Sequence, residues 1–228
     1  MPKIMGHRGA PAYEPENTLR SLELALKLGV AAVEVDVHLS RDGHLVVIHD
    51  DTVDRTTNGR GRVRDLTFAE LRKLDAGQGE RLPSLNEVVD LVRGQAHLFV
   101  ELKPPEAAGP LLRFFQEHDL FADATIISFW HPVVKALKEQ EPRLHTGVLM
   151  VGCPVDPVSL AQKAGAQVLL FNYAYVNQDL ITQAHHQGLK TYIWNIDHID
   201  TLKHYLPLQP DGIGSNRPDV LVEYLKRI

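Results

Sequence analysis

Residues 33–39 read VEVDVHL. Side chains alternate across a strand, so Val33, Val35, Val37 and Leu39 share one face and Glu34, Asp36 and His38 the other. A half-exposed strand with its acids in water gives the same alternation. Residues 97–103, HLFVELK, repeat it: His97, Phe99, Glu101 and Lys103 on one side, Leu98, Val100 and Leu102 on the other. In a closed barrel the valines pack under helices and the carboxylates point inward. Two neighbouring anions there are costly unless something neutralises them.

Outward from these strands, strand-like and helix-like runs alternate to both ends of the chain. KIM (3–5) leads to Gly6, and a helix follows in NTLRSLELALKLG, with Asn17 as N-cap and Gly29 as stop. Beyond HLFVELK come the strands ATIISF, HTGVLM, QVLLF, KTYIW and DGIG. Helices are predicted over SLNEVVDLVRG and near 106–119, 131–140, 156–164, 177–187, 198–206 and 217–227. Eight strands alternating with helices predict a (β/α)₈ TIM barrel of the α/β class. A doubly wound open sheet is the runner-up, because periodicity does not reveal closure.

One segment breaks the rhythm. After HLVVIHD, residues 51–82 are polar and rich in Gly and Arg, with one short helical piece, TFAELRKL. This is too long for an ordinary βα loop. It reads as a small subdomain inserted after the second βα region, folded over one end of a single domain spanning 1–228.

Composition narrows the function classes. The 228 residues carry a net charge of −5 with no basic stripe, which argues against a nucleic-acid partner. Cys153 is the only cysteine, so neither a disulfide framework nor a thiolate zinc site is expected. No long apolar run suggests a signal peptide or stable membrane insertion. The expectation is a soluble cytoplasmic protein acting on a small molecule, its oligomeric state open.

Three inward carboxylates, Glu34, Asp36 and Glu101, with no close histidine pair, suit one hard, oxygen-preferring divalent cation, Mg²⁺ or Ca²⁺. Without a cation the three repel, and loss of any one should relieve the apo protein. A divalent cation against three carboxylates leaves one negative charge. Arg8 and Lys103 contribute two positive charges, and a phosphodiester's single negative charge closes the balance. Arg suits phosphate through its planar fork, Lys as a point charge. His7, after the first strand, and His49, ending HLVVIH, are candidates for proton transfer near neutral pH. As strand ends, both would reach one barrel mouth.

The stretches GHRGAPAYEPENTL, VEVDVHLSRDGHLVVIHDDTVDRTTNGRGRV, LPSLNEVVDLV and VELKPP resemble, in order and spacing, the glycerophosphodiester phosphodiesterase family. The match is strong over roughly residues 3–104 and weaker through ISF, YIWNID and PDGIGSNRPD. The resemblance implies a (β/α)₈ barrel with a small insertion. It places Glu34, Asp36 and Glu101 on metal-ligand positions and His7 and His49 on the acid–base pair. Arg8 and Lys103 fall on substrate-phosphate positions and Trp194 near a pocket aromatic, with Phe129 a second candidate to line the pocket; plain core packing is the competing reading for both rings. The implied reaction is metal-dependent hydrolysis of glycerophosphodiesters to sn-glycerol 3-phosphate and an alcohol. A lysophospholipase D on the same scaffold is the alternative, and it needs apolar surface for an acyl chain. Two departures stand out: Trp194-Asn195-Ile196-Asp197 where the family often reads Trp-Thr-Val-Asn, and Ser215-Asn216 where it often reads Thr-Asp. At strand ends facing the pocket, both are expected to bear on alcohol preference.

Overall fold

A computed structural model describes residues 1–228. Nine strands form one sheet: β1 (Lys3–His7), β2 (Ala32–Leu39), β3 (Leu45–Val47), β4 (His97–Leu102), β5 (Ala124–Ser128), β6 (His145–Met150), β7 (Val168–Asn172), β8 (Lys190–Trp194) and β9 (Gly212–Ser215). Eight are parallel and close on themselves, since β1 pairs with both β2 and β9. That closure excludes the open sheet. Strands alternate with helices α1 (Leu19–Leu28), α2 (Phe68–Leu71), α3 (Leu85–Val92), α4 (Ala108–Glu117), α5 (His131–Gln140), α6 (Pro157–Lys163), α7 (Gln178–His186), α8 (Ile199–Tyr205) and α9 (Pro218–Leu225). No helix is long and apolar enough to cross a membrane.

Period-2 patterning sorts the side chains into two cores. Val33, Val35, Val37, Leu98, Val100 and Leu102 face outward and join helix residues such as Leu22, Leu85, Val89 and Leu111 in the main apolar cluster. Met5, Phe99, Ile127, Leu149, Leu170 and Tyr192 fill the barrel interior. Ladder registers set Glu34 beside His7 and Asp36 beside Glu101, so the charged side chains are neighbours by strand pairing.

The strand ending near His49 differs from expectation. β3 is short and runs antiparallel to the end of β2. His49 therefore comes from the loop beyond an appended hairpin and not from a barrel strand. Alternation in HLVVIH shows a strand but carries no information on its direction. Residues 51–82 hold a short 3₁₀ turn, Val63–Asp65, and helix α2, closed by a Thr67/Glu70 capping box. Val53, Val63, Leu71, Ala76 and Leu82 bury one another against Val46 and Ile48.

Gly29 ends α1 in the left-handed region, but the N-cap is Thr18, whose side chain accepts the Ser21 N–H. Asn17 is instead turned inward with φ 58°.

Candidate active site

The site starts with a backbone turn. Arg8 has φ 56°, a conformation that a side chain of its kind rarely adopts. Three contacts hold it: its N–H donates to Glu34 Oε2 at 3.1 Å, and its carbonyl accepts the Asn17 N–H at 3.1 Å and the Ser21 hydroxyl at 3.0 Å. Gly9 follows with φ 90°, and a Cβ there would collide with Ser21. The HRG tripeptide is thus a tight turn that lifts His7 and Arg8 over the barrel mouth.

Below it lie Glu34, Asp36 and Glu101, all buried, with one carboxylate oxygen from each within 4.8 Å of the others. Asp36 is the hub. Its Oδ2 accepts Asn17 Nδ2–H at 2.8 Å and lies 3.2 Å from Arg8 Nε; its Oδ1 is 3.4 Å from Lys103 Nζ. Lys103, just past β4, donates to Glu101 Oε1 at 2.7 Å. Burial disfavours the Asp36 carboxylate, but Lys103 and Arg8 outweigh it and hold its pKa below the ordinary value. Glu34 goes the other way: burial, then Asp36 and Glu101, push it well above the usual range. Burial and Asp36 push Glu101 up to about 7 despite Lys103. The expectation that loss of any one carboxylate relieves the apo protein therefore needs correcting at Asp36, whose charge is offset by two cations.

Glu34 Oε1 and Asp36 Oδ1 are buried without a hydrogen-bond partner. Such atoms are rare in folded proteins and call for an explanation. An all-oxygen donor set with orphaned carboxylate oxygens fits a hard divalent cation. Asn17 and the Arg8 N–H occupy the remaining oxygens of Asp36 and Glu34 and so orient the two carboxylates.

The histidines approach from two sides. His7 Nε2 lies 4.0 Å from Glu34 Oε2, while Nδ1 is 2.8 Å from Asn216 Oδ1 and 3.1 Å from Asn195 Nδ2. Burial, then Arg8, push its pKa down to about 4, so the ring is neutral at neutral pH. His49 donates Nδ1–H to Asp50 Oδ1 at 2.6 Å, and its carbonyl accepts His38 Nε2–H at 3.0 Å. Arg55, in the stretch between β3 and α2, clamps Asp50 and Glu16, and Glu16 in turn accepts from Arg8 at 3.0 Å. One ion-pair chain thus ties the turn of His7 to that of His49.

His7, Arg8, Glu34, His49, Glu101, Lys103, Phe129 and Trp194 line one cleft of about 190 Å³ at the strands' C-terminal end, and Asp36 lies beneath it. The opposite wall is apolar: Met5, Ile127, Leu149 and Leu170. Phe129 and Trp194 meet edge to face at 6.1 Å between centroids, and Phe129 is 45% exposed, so it is not a core residue. All nine residues singled out from the sequence are therefore brought together. Four further residues, Glu16, Asn17, Asp50 and Arg55, have places in the site that sequence reasoning does not assign, and Asn195, Asp197 and Asn216, expected to bear on alcohol preference, stand around His7 instead. The first four sit inside the PENT and HDDTVDRT stretches that carried the resemblance, which was their only signal. The two departures from the family pattern surround His7.

Residues 7–220 match the glycerophosphoryl diester phosphodiesterase family. The chain belongs to this family. It is 34% identical to a glycerophosphodiester phosphodiesterase of Caldanaerobacter subterraneus subsp. tengcongensis, with 98% of each protein covered. The crystal structure of an Agrobacterium tumefaciens glycerophosphodiester phosphodiesterase superposes with a TM-score of 0.86 at 30% identity, covering 98% of this chain and all of that one. An Oleispira antarctica phosphodiesterase, solved with the product sn-glycerol-3-phosphate, gives a TM-score of 0.90 at 26% identity, covering 100% and 98%. This family member gathers three carboxylates, two histidines and two cations at its barrel mouth.

Proposed function

We propose that this phosphodiesterase hydrolyses glycerophosphodiesters to sn-glycerol 3-phosphate and an alcohol, with Mg²⁺ or Ca²⁺ held by Glu34, Asp36 and Glu101. The observation that carries the reading is the convergence of three buried carboxylates, two histidines and two cations on one small cleft. When bound, the cation supplies charge neutralisation at a nonbridging phosphate oxygen. Arg8 and Lys103 orient the phosphate and offset the charge that grows in the transition state. In doing so they exchange part of their pairing with Asp36 for the substrate. His7, kept neutral, accepts a proton through Nε2 from the attacking oxygen, water or the substrate's own hydroxyl. His49, whose Nδ1–H is held by the Asp50 carboxylate, is the better placed to carry a second proton and deliver it to the leaving alkoxide. Phe129 and Trp194 pack against the glycerol or alcohol carbons.

The lysophospholipase D alternative is not favoured. The apolar residues of the inserted segment are consumed in packing, with Val53, Val63 and Leu71 at most 1% exposed. Leu66, Phe68 and Leu74 pack partly buried against the same cluster, so little of the segment's apolar area is left for an acyl chain. Phosphorus NMR of products from glycerophosphocholine, glycerophosphoethanolamine, glycerophosphoglycerol and lysophosphatidylcholine tests the proposal. Release of sn-glycerol 3-phosphate from the first three, with little turnover of the fourth, is expected. Preference for the lysolipid would overturn it.

A further inference from the structure

We infer that Asp197 and Asn216 decide which nitrogen of His7 carries its proton, fixing the ring with Nδ1–H turned away from the cleft and the Nε2 lone pair turned toward it. The argument starts at the carboxylate. Asp197 Oδ1 accepts the backbone N–H of Asn216 at 2.7 Å and the Ser215 hydroxyl at 3.0 Å. Asp197 Oδ2 accepts Asn216 Nδ2–H at 2.8 Å. A carboxylate offers acceptors only, so the amide nitrogen of Asn216 must face it. The amide oxygen of Asn216 must then face the other way, toward His7 Nδ1 at 2.8 Å. An amide oxygen also only accepts. The opposite tautomer would set an Nδ1 lone pair directly against it, two acceptors at hydrogen-bond distance. Nδ1 therefore holds the proton, and Nε2, on the side of Glu34, is left free to accept one.

Asn195 does not reverse this. Its Nδ2 lies 3.1 Å from the same Nδ1, and alone it would favour an unprotonated Nδ1. But its Oδ1 is buried with no partner, so nothing anchors that amide. Turning it over presents oxygen instead of nitrogen to Nδ1–H. The Asn216 amide cannot turn over without setting its oxygen against the Asp197 carboxylate. The anchored amide decides, and the unanchored one adapts.

Asp197 and Asn216 are thus positioning residues: neither lines the cleft, and both act through His7. Asp197 follows β8 and Asn216 follows β9, adjacent strands of the barrel. The consequence for turnover rests on the proposed role of His7 as base; the tautomer itself does not.

The test is nitrogen-15 NMR of the histidine rings in the full-length protein, with His7 assigned by the signal lost in His7→Gln. The parent should show a protonated Nδ1 and an unprotonated Nε2 at His7. Asn216→Leu removes the acceptor and should give a mixture of tautomers. In Asp197→Asn the Asn216 amide can turn over, and a mixture should again appear. The double exchange, Asp197→Asn with Asn216→Asp, keeps an anchored acceptor against Nδ1 and should restore the single tautomer. In both single variants kcat should fall roughly tenfold to a hundredfold with KM near the parent value, less than the about 10²–10⁴ that a positioned base supplies, because the wrong tautomer is only part of the population. A parent His7 protonated at Nε2 overturns the inference without recourse to any variant. So does an unchanged tautomer in Asn216→Leu. A shifted tautomer with undiminished kcat supports the relay and instead removes His7 from proton transfer.

Discussion

Glu101→Gln should make the metal-free protein more stable, and only above a definite pH. Glu101 is buried, and its carboxyl is pushed up to about 7 by burial and by Asp36, against an ordinary value of 4.5. The native state therefore holds this proton more tightly than the unfolded chain. Between those two pH values the native state binds more protons, so stability falls as pH rises and the full penalty stands above pH 7. Two and a half pKa units correspond to about 3 kcal/mol. Gln keeps an oxygen for Lys103 and cannot ionise, so the variant escapes the penalty. For a chain of this size that is about 6–12 °C in Tm. His7 works in the opposite sense: its folded pKa of about 4, against 6.5, makes stability rise with pH over an overlapping window. The two nearly cancel in the parent, which is why the difference between parent and variant is the quantity to measure. The assay is thermal unfolding of both proteins in EDTA at several pH values. The difference should be near zero at about pH 4.5 and reach its full value by about pH 8. Saturating Mg²⁺ should stabilise the parent more than the variant and shrink or reverse the gap. A variant no more stable than the parent at about pH 8 in EDTA would show that burial of the Glu101 carboxylate carries no such penalty.

Asp36→Asn should do the reverse in the same assay. It takes one carboxylate from Arg8 and Lys103, which keep Glu16 and Glu101 as partners, so the loss should stay below the about 3–5 kcal/mol of an uncompensated buried charge. A stabilised Asp36→Asn would show that the three carboxylates are equivalent after all. Arg8→Lys loses the fork that spans Asp36 and Glu16; kcat/KM should drop by roughly 2–3 kcal/mol, about 30- to 150-fold, with a lower Tm. A loss under twofold would separate Arg8 from the phosphate. Replacing His49 by Ala should harm glycerophosphocholine far more than an activated nitrophenyl diester, whose leaving group needs no proton, whereas His7→Ala should harm both alike. Steady-state kinetics of both variants on both substrates checks this, and equal losses in all four cases would reject the division of labour.

The barrel and its inward acids were legible because two strands carry strict alternation with valine and leucine on one face. That pattern depends only on the period of a strand, and strand pairing then sets Asp36 beside Glu101 without further instruction. What is absent from the sequence is direction and distance. HLVVIH alternates equally well as a barrel strand or as half of a hairpin, so the pattern alone does not give the origin of His49. Asn17 has the residue type of an N-cap, and that type also tolerates a left-handed backbone. Only its approach to Asp36, nineteen residues on, decides between the two. Asn216 lies 209 residues from His7, and no local pattern links them. Its departure from the family reading was visible, but its physical meaning required the geometry around Nδ1.

If the carboxylate triad serves diester cleavage through a divalent cation, turnover depends on that cation. The measurement that bears on it most directly is the release of sn-glycerol 3-phosphate from glycerophosphoethanolamine by chelated protein, before and after Mg²⁺ or Ca²⁺ is added back. The parent should be inactive in chelator and recover with cation, and Glu101→Gln should need far more cation to recover. Full turnover in chelator, with metal analysis finding no ion bound, would contradict the account.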